Sequence, residues 1–214
     1  MVKDSLDAPN LIADIGGTNA RFALAFPDGR IGSECILSGA DYPDLIQAAA
    51  AYLREVAGPR PRRAAVAVAT PISGDWIQFT NSPWSFSTEA ARQALGLEQL
   101  LIINDFTALA LALPLLGPDE RRQVSEGTAV EKAPIGLIGP GTGLGVSGLV
   151  WSGHHWIPLE TEGGHVTFSA CDEREWAIYR VLQRRFDHVS PERLLSGPGL
   201  VNLYTALAEL EGWS

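Results

Sequence analysis

Apolar and polar positions change period several times along the chain, and each change predicts an element. The run LIADI (11–15) enters a GGTN turn and leaves through a second strand-like run, ARFALA (20–25), with SECILS (33–38) adding a third strand. Residues 43–57 then switch to helical spacing, with apolar Leu45, Ala48, Ala49, Tyr52, Leu53 and Val56, and Gly58-Pro59 stops that helix. AAVAVAT (64–70) reads as a strand buried on both faces, PISGD as a turn and WIQFTN as a strand. Ser87 predicts the N-cap of a helix over TEAARQALG that Gly96 ends. LLIIN (100–104) reads as another buried strand, followed by a helix from about Phe106 to Leu116.

A polar stretch, 117–133, separates a second group of elements. IGLIGPGTGLGVSGLVW (135–151) repeats the opening theme of strand, glycine turn, strand. Asp172 predicts a cap for EREWAIYRVLQRRF, with Glu175 completing a capping box. Ser190 and Pro191 read as N-cap and first residue of the helix PERLLSG. LVNLYTALAEL is a last helix, with Leu200, Leu203, Tyr204, Leu207 and Leu210 on one face. The alternation predicts an α/β architecture, with an N-terminal lobe over 1–117 and a second lobe over 134–214.

Composition narrows the class. Hydrophobic residues make up 46% of 214, enough for a sizeable core. Twenty-five acidic residues against sixteen basic give a net charge of −9, which argues against a nucleic-acid partner. The polar start MVKDSLDAPN carries no signal-peptide pattern, and no apolar run is long enough to span a bilayer. Cys35 and Cys171 stand far apart without metal or redox spacing. These features predict a soluble cytoplasmic protein with reduced thiols and no membrane partner.

Several residues invite chemistry. Asp14 lies inside the first apolar run, where an unpartnered carboxylate is costly to bury. Gly16 and Gly17 permit positive φ and close approach of a ligand, and successive N–H groups in such a turn can cradle a phosphate. The stretch is either a phosphate clamp with Asp14 set to meet a hydrated metal, or an ordinary hairpin with Asp14 satisfied by nearby backbone. The second cluster, GPGTGLG (139–145), is denser than a plain turn needs. Residues 143–148 satisfy G-x-G-x-x-G, but VSGLVW reads as a strand where a dinucleotide turn must open a helix. No G-x-x-x-x-G-K-[ST] occurs. Two glycine turns, one per lobe, fit a nucleotide phosphate; a tightly packed glycine hairpin is the alternative.

Asn104 and Asp105 stand where a buried strand ends and a helix begins, which is where ligands collect in open α/β sheets. The helix dipole would keep Asp105 ionised and able to accept a proton from a substrate hydroxyl, unless it is merely the N-cap. Glu162-Gly-Gly-His165 sets a carboxylate and an imidazole around a turn, both able to bond sugar hydroxyls. His154, His155, His165 and Cys171 form no recognised zinc spacing. Glu192 falls in a helix's first turn, where it complements the dipole, and His188 has no evident partner.

Taken in order, ADIGGTNARFAL, TPISGDWIQFTNSPWSFS, IINDFTALALALP, GPGTGLG, EGGHVTF and HVSPERLLSGPGLVNLY resemble the bacterial-type glucokinases of the hexokinase–actin–Hsp70 superfamily, over residues 11 to 205. The resemblance implies an actin-like ATPase (ribonuclease H-like) two-lobed α/β fold. It implies ATP-dependent phosphorylation of D-glucose at the 6-hydroxyl (EC 2.7.1.2), at the entry to glycolysis. Asp105 then falls on the catalytic base. The sugar ligands fall on Asn104, Asp105, Glu162, His165 and Glu192, with Asn81 beside the sugar. Nucleotide phosphates fall on Ala13, Asp14, Ile15, Gly16, Gly17, Thr18 and Asn19, and on Gly141, Thr142 and Gly143. Asp14 would reach Mg²⁺ through water. ATP, Mg²⁺, D-glucose and a homodimer partner are the implied associates. The clustered-cysteine zinc motif of the related repressor–kinase group is absent.

The resemblance also has a gap. The family's later glycine motif, which packs against adenine and ribose, has no counterpart here. The second lobe is therefore expected to be incomplete, lacking the C-terminal third, with an open sheet edge and an uncovered apolar face. Two functions fit: a glucokinase with little turnover unless a partner supplies the rest, or a non-catalytic sugar-binding fragment. An NAD-dependent oxidoreductase rests on GLGVSG alone and requires a helix after that turn.

Overall fold

The computed structural model describes residues 8–56, 58–80 and 82–213. They form two compact units that divide between Ala108 and Leu109. In the first, β1 (Asn10–Ile15), β2 (Asn19–Ala25) and β3 (Ile31–Ser38) make an antiparallel meander. Side chains alternate with the pleat, so Leu11 and Ile15 of β1 and Ala20, Phe22 and Leu24 of β2 share the buried face. The helix α1 (Leu45–Glu55) crosses that face, its N-terminus capped by the Asp44 carboxylate, which accepts from the N–H of Gln47. It buries Leu45, Ala48, Ala49, Tyr52 and Leu53. Tyr52 stacks on Phe22 with ring centroids 5.3 Å apart, and its hydroxyl donates to the Ser33 carbonyl.

The next strand, β4 (Arg63–Val68), pairs with β1 in parallel. It is not buried on both faces as its composition suggests. Ala64, Val66 and Val68 are buried, while Ala65 and Ala67 on the other face are only half covered. A small hairpin of β5 (Trp76–Gln78) and β6 (Ser85–Ser87) follows. Its Trp84 is buried, and the indole N–H is shared between the carbonyls of Gly39 and Tyr42. Ser87 caps α2 (Thr88–Ala94) as expected, and Gly96 beyond it takes a left-handed φ of 68°.

The strand β7 (Gln99–Asn104) closes one end of the five-stranded order β3-β2-β1-β4-β7. As an end strand it is less buried than LLIIN predicts: Leu100 and Ile102 pack on the core, but Leu101 is 55% exposed. The helix α3 (Asp105–Ala112) follows without a connecting loop. It gives way at Leu113–Leu115 to a 3₁₀ turn, because Pro114 cannot continue α-helical bonding.

In the second unit β8 (Ile135–Pro140), β9 (Leu144–Trp151) and β10 (Trp156–Leu159) form another antiparallel meander. GLGVSG thus leads into a strand, which removes the dinucleotide-binding reading. Three helices complete the unit: α4 (Glu173–Gln183), α5 (Glu192–Leu195) and α6 (Gly197–Glu211). Ile178, Val181, Leu182, Val189, Leu194 and Ala206 form their core. Asp172 caps α4, but the capping box is shifted by one residue, since the Glu175 carboxylate accepts from Cys171 N–H instead of Asp172 N–H. The N-cap position of α5 is held by Pro191, one residue beyond Ser190. The apolar stripe expected on α6 divides: Leu203 and Leu207 pack against the core, while Leu200, Tyr204 and Leu210 face outward. No helix among the described residues is long and apolar enough to cross a membrane. Both cysteines are free thiols.

The division between the two faces of the first sheet is measurable. Leu11→Ala removes a side chain that is 1% exposed and should lower unfolding free energy by about 2–5 kcal/mol. Ile36→Ala acts on a residue 64% exposed and should stay within about 0.5 kcal/mol, both read by urea denaturation of the full chain.

Candidate active site

Strand register builds the first unit's share of the site. β1 pairs Ile15 with Val68 of β4, and β4 pairs Val68 with Asn104 of β7. The carboxyl ends of three parallel strands therefore align, which brings the GGTN turn, Thr70 and Asn104-Asp105 to one edge. The Ala69 N–H donates to the Ile15 carbonyl, and the Asn104 side-chain N–H to that of Thr70, fixing the edge.

Asn104, not Asp105, caps α3. Its side-chain oxygen accepts from the N–H groups of Phe106 and Thr107 at 2.9 and 3.2 Å. That leaves the Asp105 carboxylate free of capping duty. Its Oδ1 accepts from Phe106 N–H at 2.8 Å, and its Oδ2 has no partner among the described residues. Burial pushes the Asp105 carboxyl above its ordinary value of 3.8; the Phe106 bond opposes this and the negative charge of Asp14 adds to it. The helix terminus is expected to keep Asp105 ionised near neutral pH; burial works against the anion, because α3 begins directly at the strand end and the carboxyl is partly enclosed.

Asp14 is exposed, so the cost of burying it does not arise. It is paired across the hairpin: Arg21 Nη1 donates to Asp14 Oδ2 at 3.0 Å, on the register that sets Asp14 opposite Arg21. A hairpin turning at Gly17-Thr18 dictates that pairing, so it was available from the run lengths alone. In the turn, Gly16 N–H donates to the Asn19 carbonyl. Positive φ is used by Gly29, Gly58 and Gly74 among others, not by Gly16 or Gly17. Among the described residues the N–H groups of Gly17 and Thr18 have no acceptor, and both residues are exposed, a donor set that suits phosphate oxygens. Asp14 Oδ1 is likewise unengaged. One exposed carboxylate beside phosphate donors fits a hydrated cation carried by phosphates, not a protein cage. No group of three or more His, Cys, Asp or Glu side chains is arranged to hold a metal ion among the described residues.

In the second unit Glu192 is the hub. Its Oε2 accepts from Leu144 N–H at 2.9 Å, and its Oε1 stands 3.7 Å from His165 Nδ1. His165 Nε2 lies 3.9 Å from Glu162 Oε2. These gaps exceed hydrogen-bond length, so the three groups keep polar capacity for a ligand. Two glycines make the arrangement fit. A Cβ on Gly143 would stand 2.7 Å from Glu192 Oε2, and one on Gly164 would fall 2.0 Å from the Leu144 carbonyl oxygen. The glycine turn is tied to α6 as well, since Gly197 N–H donates to the Gly141 carbonyl. The structure thus joins Glu162, His165 and Glu192 to the Gly141–Gly143 turn, a link that sequence spacing of some fifty residues does not reveal. Asn81 lies outside the described residues.

The glucokinase family model covers residues 11–214. The chain is 52% identical over 204 residues to a glucokinase of Chromobacterium violaceum, covering 95% of this chain and 59% of that one. It is 50% identical over 202 residues to the bifunctional protein glk of Burkholderia thailandensis, covering 94% of this chain and 32% of that one. The crystal structure of a glucokinase from an Antarctic psychrotroph superposes with a TM-score of 0.85 at 38% identity, covering 95% of this chain and 65% of that chain. The fold is that of the actin-like α/β sugar kinases. The chain belongs to the glucokinase family. It spans about three-fifths of the curated glucokinase and a third of the bifunctional protein.

Two consequences are testable. Asp14→Asn removes a negative charge near Asp105 and should lower the Asp105 titration midpoint, read by carboxyl ¹³C NMR. The sign extends to stability. Asp105 holds its proton more tightly folded than unfolded, so its ionisation costs stability as pH rises from the ordinary Asp range through the raised value. Asp14→Asn should shrink that loss. Separately, Gly143→Ala meets the flexible end of Glu192 and should displace it, changing the Leu144 amide shift and lowering stability less than Gly164→Ala does. Gly164→Ala meets backbone and should destabilise the second unit.

Proposed function

We propose that this chain carries the sugar site and phosphate turns of a cytoplasmic, ATP-dependent glucokinase. The reaction is phosphoryl transfer to the 6-hydroxyl of D-glucose. The observation that carries this reading is Asp105: a partly enclosed carboxylate at the carboxyl ends of three parallel strands, relieved of capping by Asn104 and left with one oxygen unpartnered among the described residues. Asp105 Oδ2 takes the proton of the 6-hydroxyl as that oxygen attacks the γ-phosphoryl group. A carboxyl whose pKa has moved up toward the working pH is the better acceptor.

Glu162, His165 and Glu192 accept and donate bonds to ring hydroxyls, and Glu192 is held in place by Leu144 N–H. Asn104 has a second amide proton to offer the sugar beside its bond to Thr70. Asn81 belongs to the same sugar contacts by resemblance. Residues 13–19 and 141–143 hold the phosphates through backbone N–H groups, and Asp14 orients the hydrated Mg²⁺. When bound, Mg²⁺-ATP supplies the phosphoryl group and offsets the charge on its oxygens. Positioning and electrostatics should supply most of the rate.

The test is glucose-dependent ADP formation from MgATP by the full chain, with glucose binding measured separately by calorimetry. Asp105→Asn should retain glucose binding and lose turnover by about 10²–10⁴-fold. Turnover unchanged by that substitution removes Asp105 from the mechanism. Glucose binding without turnover in the unsubstituted chain would identify a sugar-binding module.

A further inference from the structure

One cavity of the second unit holds groups that a neutral sugar does not need. Its volume is about 410 Å³, and Arg185, Asp187, Ser190 and Arg193 line it beside His165 and Glu192. Phe186 forms part of the wall, and both arginines gather on its ring. The Arg193 guanidinium carbon lies 4.4 Å from the ring centroid and that of Arg185 lies 5.7 Å from it. Neither guanidinium reaches a carboxylate within 4 Å among the described residues, whereas Arg174 pairs with Glu211 and Arg184 with Glu209. Two cations on one ring repel each other, and an anion held by both removes that repulsion. Planar guanidiniums suit a tetrahedral oxyanion, to which each can offer two N–H groups.

Ser190 points to a ligand independently. It is 4% exposed, yet its hydroxyl has no hydrogen-bond partner among the described residues. The hydroxyl is not sealed in the core, because no fully buried side-chain oxygen or nitrogen among those residues is orphaned. It therefore opens into the cavity that Ser190 lines. The backbone around it is fixed. Phe168 N–H donates to the Val189 carbonyl, the Val189 side chain is fully buried, and Arg193 N–H donates to the Ser190 carbonyl at 3.0 Å. Hydroxyl and Arg193 are thus held one turn of chain apart. A hydroxyl so enclosed lacks most of its water, and a ligand oxygen would restore the missing bond. The His188 ring meets the Thr167 hydroxyl through Nε2 at 3.1 Å, which leaves Nδ1 for a ligand.

Asp187 decides which oxyanion fits. Its carboxylate repels an anion without protons, such as sulfate. Inorganic phosphate keeps at least one proton at neutral pH. That P–OH donates to the carboxylate while the other oxygens accept from the arginines and the serine. A phosphate monoester, with its second pKa at about 6, has mostly lost that proton. We infer that this cavity is a binding site for inorganic phosphate, held by Arg185, Arg193 and Ser190 Oγ, with Asp187 accepting its P–OH. The ion takes up only part of the volume, and none of these four side chains belongs to the sugar site proposed above. His165 and Glu192 stay available to glucose, so phosphate and glucose bind together. Phosphate then braces residues 185–193, the segment that carries Glu192, and stabilises the second unit by mass action.

Calorimetry on the full chain at neutral pH tests this, with orthophosphate, sulfate and glycerol phosphate as titrants, each with and without saturating glucose. Orthophosphate should bind about 10-fold more tightly than the other two, and glucose should change its affinity by less than about 3-fold. Arg185→Gln, Arg193→Gln and Ser190→Ala should each weaken it about 10-fold. Arg185→Lys, which keeps the charge and loses the fork, should restore part of the loss. Asp187→Asn should bring sulfate close to orthophosphate in affinity. Arg185 and Asp187 are exposed, so their variants keep the test open should Ser190→Ala or Arg193→Gln disturb the fold. Orthophosphate that binds no better than sulfate, or that is indifferent to Arg185→Gln, overturns the proposal. Tighter binding of glycerol phosphate overturns it in favour of a phosphate-ester site. Displacement of orthophosphate by glucose overturns the separation of the two sites. Failure of glucose itself to bind removes the sugar reading alone, since the phosphate titrations without glucose do not depend on it.

Discussion

The in-register parallel pairing of β1 with β4, and of β4 with β7, is the constraint on which the first unit's chemistry depends. Each pairing sets the last residue of one strand beside the last residue of the next, Ile15 by Val68 and Val68 by Asn104. A slip of one residue would reverse every side chain between core and surface, so the buried Leu11, Ile15, Val66 and Val68 enforce the alignment. The polar residues just beyond the strand ends are thereby gathered without any contact of their own having to provide the energy. Core packing does the positioning, and Asp14, the GGTN turn, Asn104 and Asp105 remain free to be polar.

The second unit reaches a comparable result by another route. Its meander β8-β9-β10 repeats the antiparallel half of the first sheet, including a glycine turn between its first two strands. The meander of the first unit is extended past β1 by two parallel strands; past β8 no strand is paired among the described residues. Here the polar groups are gathered by close backbone approach. Gly164 lets the Glu162–His165 turn lie against Leu144, and Gly143 lets the Glu192 carboxylate reach the Leu144 N–H. Glycine is required at these positions for space, not for unusual φ.

Most of the fold was legible because period and punctuation agree. LIADI and ARFALA alternate, the helix at 45–55 has a stripe, and Asp44, Ser87, Asp172 and Gly96 mark ends. What failed was burial. LLII is apolar on both faces of its strand and LVNLYTALAEL carries a wide apolar stripe, and nothing in either says which neighbour covers it; Leu101 and Tyr204 lie exposed for that reason. The site was legible as motifs but not as physics. Position at a helix start suggested an Asp105 kept ionised by the dipole. Only the three-dimensional neighbourhood shows Asn104 taking the cap and burial raising the Asp105 pKa. The Asp14–Arg21 pair was readable from hairpin register, whereas the Glu192–Leu144 bond joins segments forty-eight residues apart and leaves no local trace.

That last bond carries a mechanical consequence. Glu192 uses one oxygen to hold the backbone of the Gly141–Gly143 turn and turns the other toward His165. The two oxygens belong to one rigid planar group, so the carboxylate cannot shift toward a ligand on the His165 side without lengthening its bond to Leu144. A charge-assisted bond of this kind is worth more than a neutral one, and its loss would leave an amide unpaired at the root of the turn. Ligand contact at Glu192 and the shape of the glycine turn are thus tied through a few ångströms of one side chain. Substituting Gln at 192 would keep an acceptor for Leu144 while removing the charge, which separates the structural from the electrostatic part of that link.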